Sequence, residues 1–326
     1  PICQSLADPR MPLKAQEERL EDMIPCIACL QGCVANMYAG NPVCCLTNPF
    51  LGHEAEPLEK AEEPKKVMVI GGGVAGLSAA FIAKERGHEV TLYEAGDVLG
   101  GNMRLAAYPP GKGDITNMIR SYIHRCQKDG VKIVMNCEVT PELIKEEKPD
   151  SVIIATGSKT LILPIEGIDN PAIIHGSDLL DGKRAAGKKV LVVGGGMVGC
   201  ETAAFLGEQE HDVTVIEFRD TVGADVIHEH RVYLMKDFED YGIKEITGAK
   251  VCKFYEDGVE YETADGVRHE SRGYDSVILS MGFRNYNPLE EKIKDLVPET
   301  HVIGDAIRAR RALDATKEAY EVASRI

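Results

Sequence analysis

Five of the ten cysteines crowd into residues 26–45: Cys26, Cys29, Cys33, Cys44 and Cys45. The run reads C-x2-C-x3-C and ends in an adjacent pair, so four thiolates are available for an iron–sulfur cluster of the [4Fe–4S] type or for structural zinc. Zinc modules more often use two C-x2-C knuckles, and the second knuckle is missing here. A disulfide framework would spread its cysteines through a small secreted chain, so the clustering points to a metal centre in a reducing cytoplasm. Cys3, Cys126, Cys137, Cys200 and Cys252 are scattered singly.

A second kind of chemistry is written in glycine. Gly71, Gly73 and Gly76 give the spacing G-x-G-x-x-G, in which the first glycine makes the turn, the second admits a pyrophosphate and the third lets helix and strand pack closely. Glu94 follows eighteen residues after Gly76, where a carboxylate can accept hydrogen bonds from a ribose. The pattern recurs 123 residues later at Gly194, Gly196 and Gly199, with Cys200 and Glu201 next and Glu217 again eighteen residues on. Two copies imply two dinucleotide sites. The charge of Glu217 opposes a 2′-phosphate and favours NADH, whereas Arg219 nearby could pair with the phosphate of NADPH. Cys200 lies at the start of a packed helix without a partner cysteine, which predicts burial rather than redox work.

These motifs require particular elements around them. Residues 67–70 read as a strand, 74–86 as a helix and 89–93 as a returning strand; 189–193, 198–207 and 213–216 repeat the succession. Apolar strands at 151–155, 276–280 and 301–303 each run into a glycine, Gly157, Gly282 and Gly304, which lets backbone approach a cofactor. A helix over 312–326 closes the chain. The expected fold is α/β, with two Rossmann-like domains: an FAD domain over 66–162 and 285–326, and a nicotinamide domain inserted at 163–284. Residues 1–65 hold the cysteine cluster and a linker; 1–55 show little strand pattern, and the charged run Glu54–Lys66 leads into the first domain.

Length and charge exclude other classes. At 326 residues and 44% hydrophobic content the chain can bury more than one core, so disorder is excluded. A net charge of −15 repels phosphate backbones and anionic bilayers, so neither nucleic acid nor membrane is an expected partner. The chain opens at Pro1 without an initiator Met or signal segment and reads as a fragment. Among the histidines only His228-Glu229-His230 has a spacing that suggests a metal ligand pair, but it sits in a polar stretch and reads as a solvated loop or helix face.

The cysteine segment, Pro25 to Cys33 followed by Cys45-Leu46-Thr47-Asn48-Pro49 and His53-Glu54, with Leu6-Ala7-Asp8-Pro9 upstream, resembles the multidomain Old Yellow Enzyme relatives. That group includes 2,4-dienoyl-CoA reductase, 2-enoate reductase and trimethylamine dehydrogenase. The resemblance continues through both fingerprints, Gly100-Gly101-Asn102, Ala155-Thr156-Gly157 and Val302-Ile303-Gly304-Asp305, covering essentially the whole chain. It implies that Cys26, Cys29, Cys33 and Cys45 ligate a [4Fe–4S] cluster, Cys45 being preferred to Cys44 because the family's fourth ligand precedes Leu-x-Asn-Pro. It also implies that Gly71, Gly73, Gly76, Glu94, Gly101, Asn102 and Asp305 hold FAD, with Asp305 near the ribityl chain. Asn102 stands where many relatives carry Gln.

The implied activity is electron input. NADH reduces FAD, electrons pass singly through the cluster, and FMN on a TIM barrel absent from this chain reduces an activated C=C bond of a small-molecule substrate; a homo-oligomer is compatible with this. No side chain here need be catalytic, since hydride transfer from nicotinamide to flavin is cofactor chemistry. Disulfide reductases share both fingerprints but need a cysteine pair by the flavin, where this chain reads Asn102-Met103-Arg104-Leu105. The alternative is a diaphorase-like or amine-dehydrogenase-type module that delivers electrons to a separate acceptor.

Overall fold

A computed structural model describes residues 2–326; Pro1, where the fragment reading begins, lies outside them. The chain divides into two compact units. One contains the residues up to Ala107 together with Lys112–Lys159 and Arg284–Ile326, and the other contains Tyr108–Gly111 and Thr160–Phe283.

The first unit is built on a five-stranded parallel sheet in the order Glu299–Val302, Ser151–Ile154, Lys66–Ile70, Glu89–Tyr93 and Lys132–Val134. Its central strand alternates Val67 and Val69 against Met68 and Ile70, and each pair enters a different apolar core. Period-two alternation with both faces apolar is what a sheet covered on both sides demands. The fingerprint helix Val74–Glu85 is buried along most of its length, and against it packs the closing helix Ala312–Ala323.

The second unit repeats the plan with strands in the order Ile174–His175, Ser276–Leu279, Lys189–Val193, Asp212–Ile216 and Lys244–Ile246, all parallel. Val190 and Val192 face one core, Leu191 and Val193 the other. A three-stranded antiparallel sheet follows, formed by Lys250–Tyr255, Gly258–Glu262 and Arg268–Ser271. Periodicity does not single out these strands, because charged and polar residues interrupt their apolar ones and most positions are only half-buried.

The cysteine segment has no strand among its described residues. It folds as short helices, Ile2–Ala7, Met11–Gln16 and Val34–Tyr38, linked by extended chain. It is not a separate lobe. Ile27 and Leu46 belong to the same core as Val67 and Phe81, and the buried Tyr122 hydroxyl donates to the Leu46 carbonyl at 2.9 Å. Phe50 and His53 both pack against Tyr320 of the closing helix, at 5.5 and 4.2 Å between ring centres. No helix among the described residues is long and apolar enough to cross a membrane.

Candidate cofactor sites

At the first fingerprint, Gly71 leaves the strand with φ of 111°, a conformation in the left-handed half of backbone space that glycine adopts without strain. A side chain at Gly76 would collide with the Gly71 carbonyl, so that glycine holds the helix against the strand. A Cβ at Gly73 would find only the Cα of Gly101, 4.0 Å away, leaving open space above the helix N-terminus. The Glu94 carboxylate accepts from the amides of Gly72 at 2.6 Å and Gly96 at 2.7 Å, and Gly72 in turn accepts from the Gly100 amide at 2.8 Å.

Around this turn the remaining flavin-side residues gather within the same unit. Asn102 donates to the hydroxyl of Ser158, 3.2 Å away, and Ser158 donates to Asp305 at 2.8 Å. Asp305 also accepts from the Arg310 amide at 3.0 Å. Ala155 lies against Gly71, the Thr156 hydroxyl donates to the Tyr286 carbonyl at 2.5 Å, and the Gly157 carbonyl accepts from the Tyr286 amide at 2.9 Å. The Gly304 amide donates to Glu318 at 2.8 Å. Ser158 and Glu318 carry no motif signal and were not singled out from the sequence.

The second fingerprint repeats the first. Gly194 has φ of 104°, and a Cβ on Gly199 would collide with the Gly194 carbonyl. Glu217, 9% exposed, accepts from the amides of Gly195 at 2.5 Å and Arg219 at 2.9 Å. Glu201 is buried in the helix Met197–Glu208, and Gly282 accepts from the Leu161 amide at 2.9 Å. Cys200 is fully buried, its thiol donating to the Gly195 carbonyl at 3.2 Å, and burial pushes its pKa up to about 12. His228 and His230 lie in the first turn of a helix, His228–Asp240.

Cys26, Cys29, Cys33, Cys44 and Cys45 line one cavity, together with Cys3 and Thr47. Burial pushes the Cys29 thiol up to about 12, with Cys45, Cys33 and Cys26 adding to the shift as neighbouring charges. Burial likewise raises Cys33, where Cys3 and Cys45 contribute, and Cys44, where Lys317 opposes the shift. The Thr47 hydroxyl lies 3.3 Å from the Cys45 sulfur. The helix Ile2–Ala7 borders the cavity through Cys3 and Leu6, and its Gln4 accepts from the Cys26 amide and donates to the Ile24 carbonyl, both at 2.8 Å. Among the described residues, no three His, Cys, Asp or Glu side chains gather closely enough to share one metal ion.

Paired parallel sheets, each opening on a glycine fingerprint and an amide-bound acid, define a two-dinucleotide flavin oxidoreductase fold. Residues 65–301 match the pyridine nucleotide-disulphide oxidoreductase family, and the chain belongs to it as a protein that binds FAD and a nicotinamide dinucleotide. It is similar to the FAD- and NAD-type half of Old Yellow Enzyme-type flavoproteins. Identity is 34% to the cinnamate reductase of Clostridium sporogenes, over 98% of this chain and 48% of that protein. It is also 34% to the NADH oxidase of Thermoanaerobacter brockii, over 98% and 50%. A solved 2-naphthoyl-CoA reductase superposes on 99% of the chain and 49% of its own, with a TM-score of 0.94 and 33% identity. The chain spans about half the length of the curated relatives it matches, and its relatives are parts of larger multidomain flavoproteins.

Proposed function

We propose that this chain is the electron-input module of an NADH-dependent iron–sulfur flavoprotein whose FMN-bearing TIM barrel reduces an activated C=C bond. The observation that carries this reading is the confluence, in one compact unit, of the first fingerprint and a cavity walled by Cys26, Cys29, Cys33 and Cys45. Four thiols are the donor set a [4Fe–4S] cluster takes, and each binds its own iron, so they need not converge on one point as zinc ligands must. The names of the cinnamate and 2-naphthoyl-CoA reductases favour unsaturated acids and thioesters as the substrate class.

FAD and the cluster, when bound, supply the conversion of a hydride into single electrons. The chain's own residues do the positioning. Glu94 offers its carboxylate to the FAD ribose beside the Gly72 amide; Gly71, Gly73 and Gly76 admit the pyrophosphate, as do Gly194, Gly196 and Gly199 for the nicotinamide dinucleotide. Gly101, Asn102 and Asp305 border the flavin. Glu217, already bonded to two amides, opposes a 2′-phosphate and so selects NADH over NADPH. The buried thiols fit a reducing cytoplasm, where disulfides do not persist.

The test is anaerobic purification followed by a visible spectrum, iron and sulfide analysis, and addition of NADH. Flavin bands over a broad brown absorbance, iron approaching about four per chain and bleaching by NADH are the expected results. Zinc in place of iron overturns the relay. Iron and flavin indifferent to NADH point instead to a dehydrogenase-type module that hands electrons to a separate acceptor.

A further inference from the structure

The two fingerprints differ at the place where phosphate should bind. In the first, the Cβ position of Gly73 has no side chain within 4 Å. In the second, the carboxylate of Asp225 stands directly against that position. One oxygen accepts from the amide of Met197, the first residue of the helix, at 2.8 Å. Both oxygens lie 3.4–3.5 Å from where a Cβ on Gly196 would stand. This is the space that the glycine keeps free for a pyrophosphate, and the amide is one a pyrophosphate uses.

We infer that Asp225 is an internal stand-in for the dinucleotide pyrophosphate, which must displace it, so that Asp225 weakens nicotinamide dinucleotide binding and limits it to ligands able to compete for the helix N-terminus. The inference rests on the second fingerprint being the nicotinamide site. An empty helix N-terminus leaves amide donors and the positive end of the dipole without an anion. Asp225 satisfies them in the free protein, and on binding its charge stands beside two phosphates until it turns away. The surrounding backbone is held: the Gly223 amide donates to the Gly195 carbonyl at 2.7 Å, and the Arg231 guanidinium donates to the Thr221 hydroxyl at 2.9 Å and the Val222 carbonyl at 3.1 Å. Asp225 itself is exposed. Its carboxylate can therefore turn towards solvent without exposing any buried apolar surface.

The test is titration calorimetry of the purified chain and its Asp225→Asn and Asp225→Ala variants with NADH, ADP-ribose and adenosine. An exposed charge at a helix end is worth up to about 1 kcal/mol, so both variants should bind NADH and ADP-ribose about fivefold more tightly. Adenosine, which has no phosphate, should bind all three proteins alike. Unchanged or weaker NADH binding by both variants overturns the inference while leaving the nicotinamide site standing. Equal gains for adenosine also overturn it, since the effect would then not concern phosphate. If neither the parent chain nor the variants bind NADH or ADP-ribose, the reading of the second site fails and the inference fails with it.

Discussion

The Glu94 carboxylate and the Gly72 amide are joined at 2.6 Å, so the acid that the flavin ribose would use also fastens the glycine turn on which the pyrophosphate would lie. Glu94→Ala should therefore damage the turn as well as the ribose contact. Leaving the amides of Gly72 and Gly96 without their acceptor costs about 1–3 kcal/mol. Flavin-to-protein ratio and thermal melting should both fall. Glu94→Gln, which keeps an acceptor oxygen, should retain most of the stability and lose mainly flavin affinity.

Glu217 holds the equivalent post in the second unit, and there charge is the measurable quantity. Glu217→Gln should raise the ratio of NADPH to NADH efficiency about tenfold, or about 1.4 kcal/mol. Stopped-flow bleaching of the flavin by each nucleotide reads this directly. An unchanged ratio would mean that Glu217 does not face the 2′-position.

The third glycines separate the two sites. Gly199→Ala and Gly76→Ala each drive a methyl group into the carbonyl of the fingerprint's first glycine, Gly194 or Gly71, and overpacking of this kind costs about 1–3 kcal/mol. Gly199→Ala should abolish NADH binding and keep the flavin. Gly76→Ala should lose the flavin itself, as absorbance of the purified protein will show.

What the sequence made legible was whatever depends on local spacing. The strand at 67–70 appears where its apolar run places it, because a parallel strand buried on both faces writes its length in apolar residues, and the glycine turns appear where their spacing places them. Contacts between distant segments were hidden. Nothing in the linear run links Gln4 to Cys26, Tyr122 to Leu46 or Asp225 to Met197, since each pairing depends on how the chain folds back rather than on which residues are neighbours. The cysteine segment looked like a separate piece for the same reason: Ile27 and Leu46 are too few to announce a shared core.

Cys126 and Cys200 give a pH signature. Burial pushes both thiols up to about 12, above the ordinary value of about 8.5 that they regain on unfolding. Because their folded pKa is raised, their contribution to stability is complete below about pH 8.5 and is lost as the pH rises towards the folded value. Unfolding in denaturant should show stability falling from about pH 8.5 upward, less steeply in a Cys126→Ala, Cys200→Ala double variant. Neither thiol should react with a thiol reagent at pH 8 unless the chain is unfolded.

Thr47 offers a probe of the metal reading. It is 1% exposed, and if Cys45 ligates iron as a thiolate, as proposed, only the Thr47 hydroxyl can donate across their 3.3 Å separation. Hydrogen bonds to cluster sulfurs favour the reduced, more negative state. Thr47→Val should lower the cluster's midpoint potential in a titration followed by electron paramagnetic resonance, and Thr47→Ser should restore it.

The strand Glu299–Val302 and the closing helix complete a sheet and a core begun more than two hundred residues earlier. On the ribosome, chain emerges at about 5–20 residues per second, and this order of synthesis matters. The inserted unit is almost contiguous, at Thr160–Phe283, and can finish while its host is still open. The cysteine segment emerges ahead of the rest of its unit and waits for it, because Tyr320, the wall for Phe50 and His53, is translated more than two hundred residues later. Loading of the proposed cluster before that moment would act on a segment without its shelter, so its assembly should follow the packing of the closing helix.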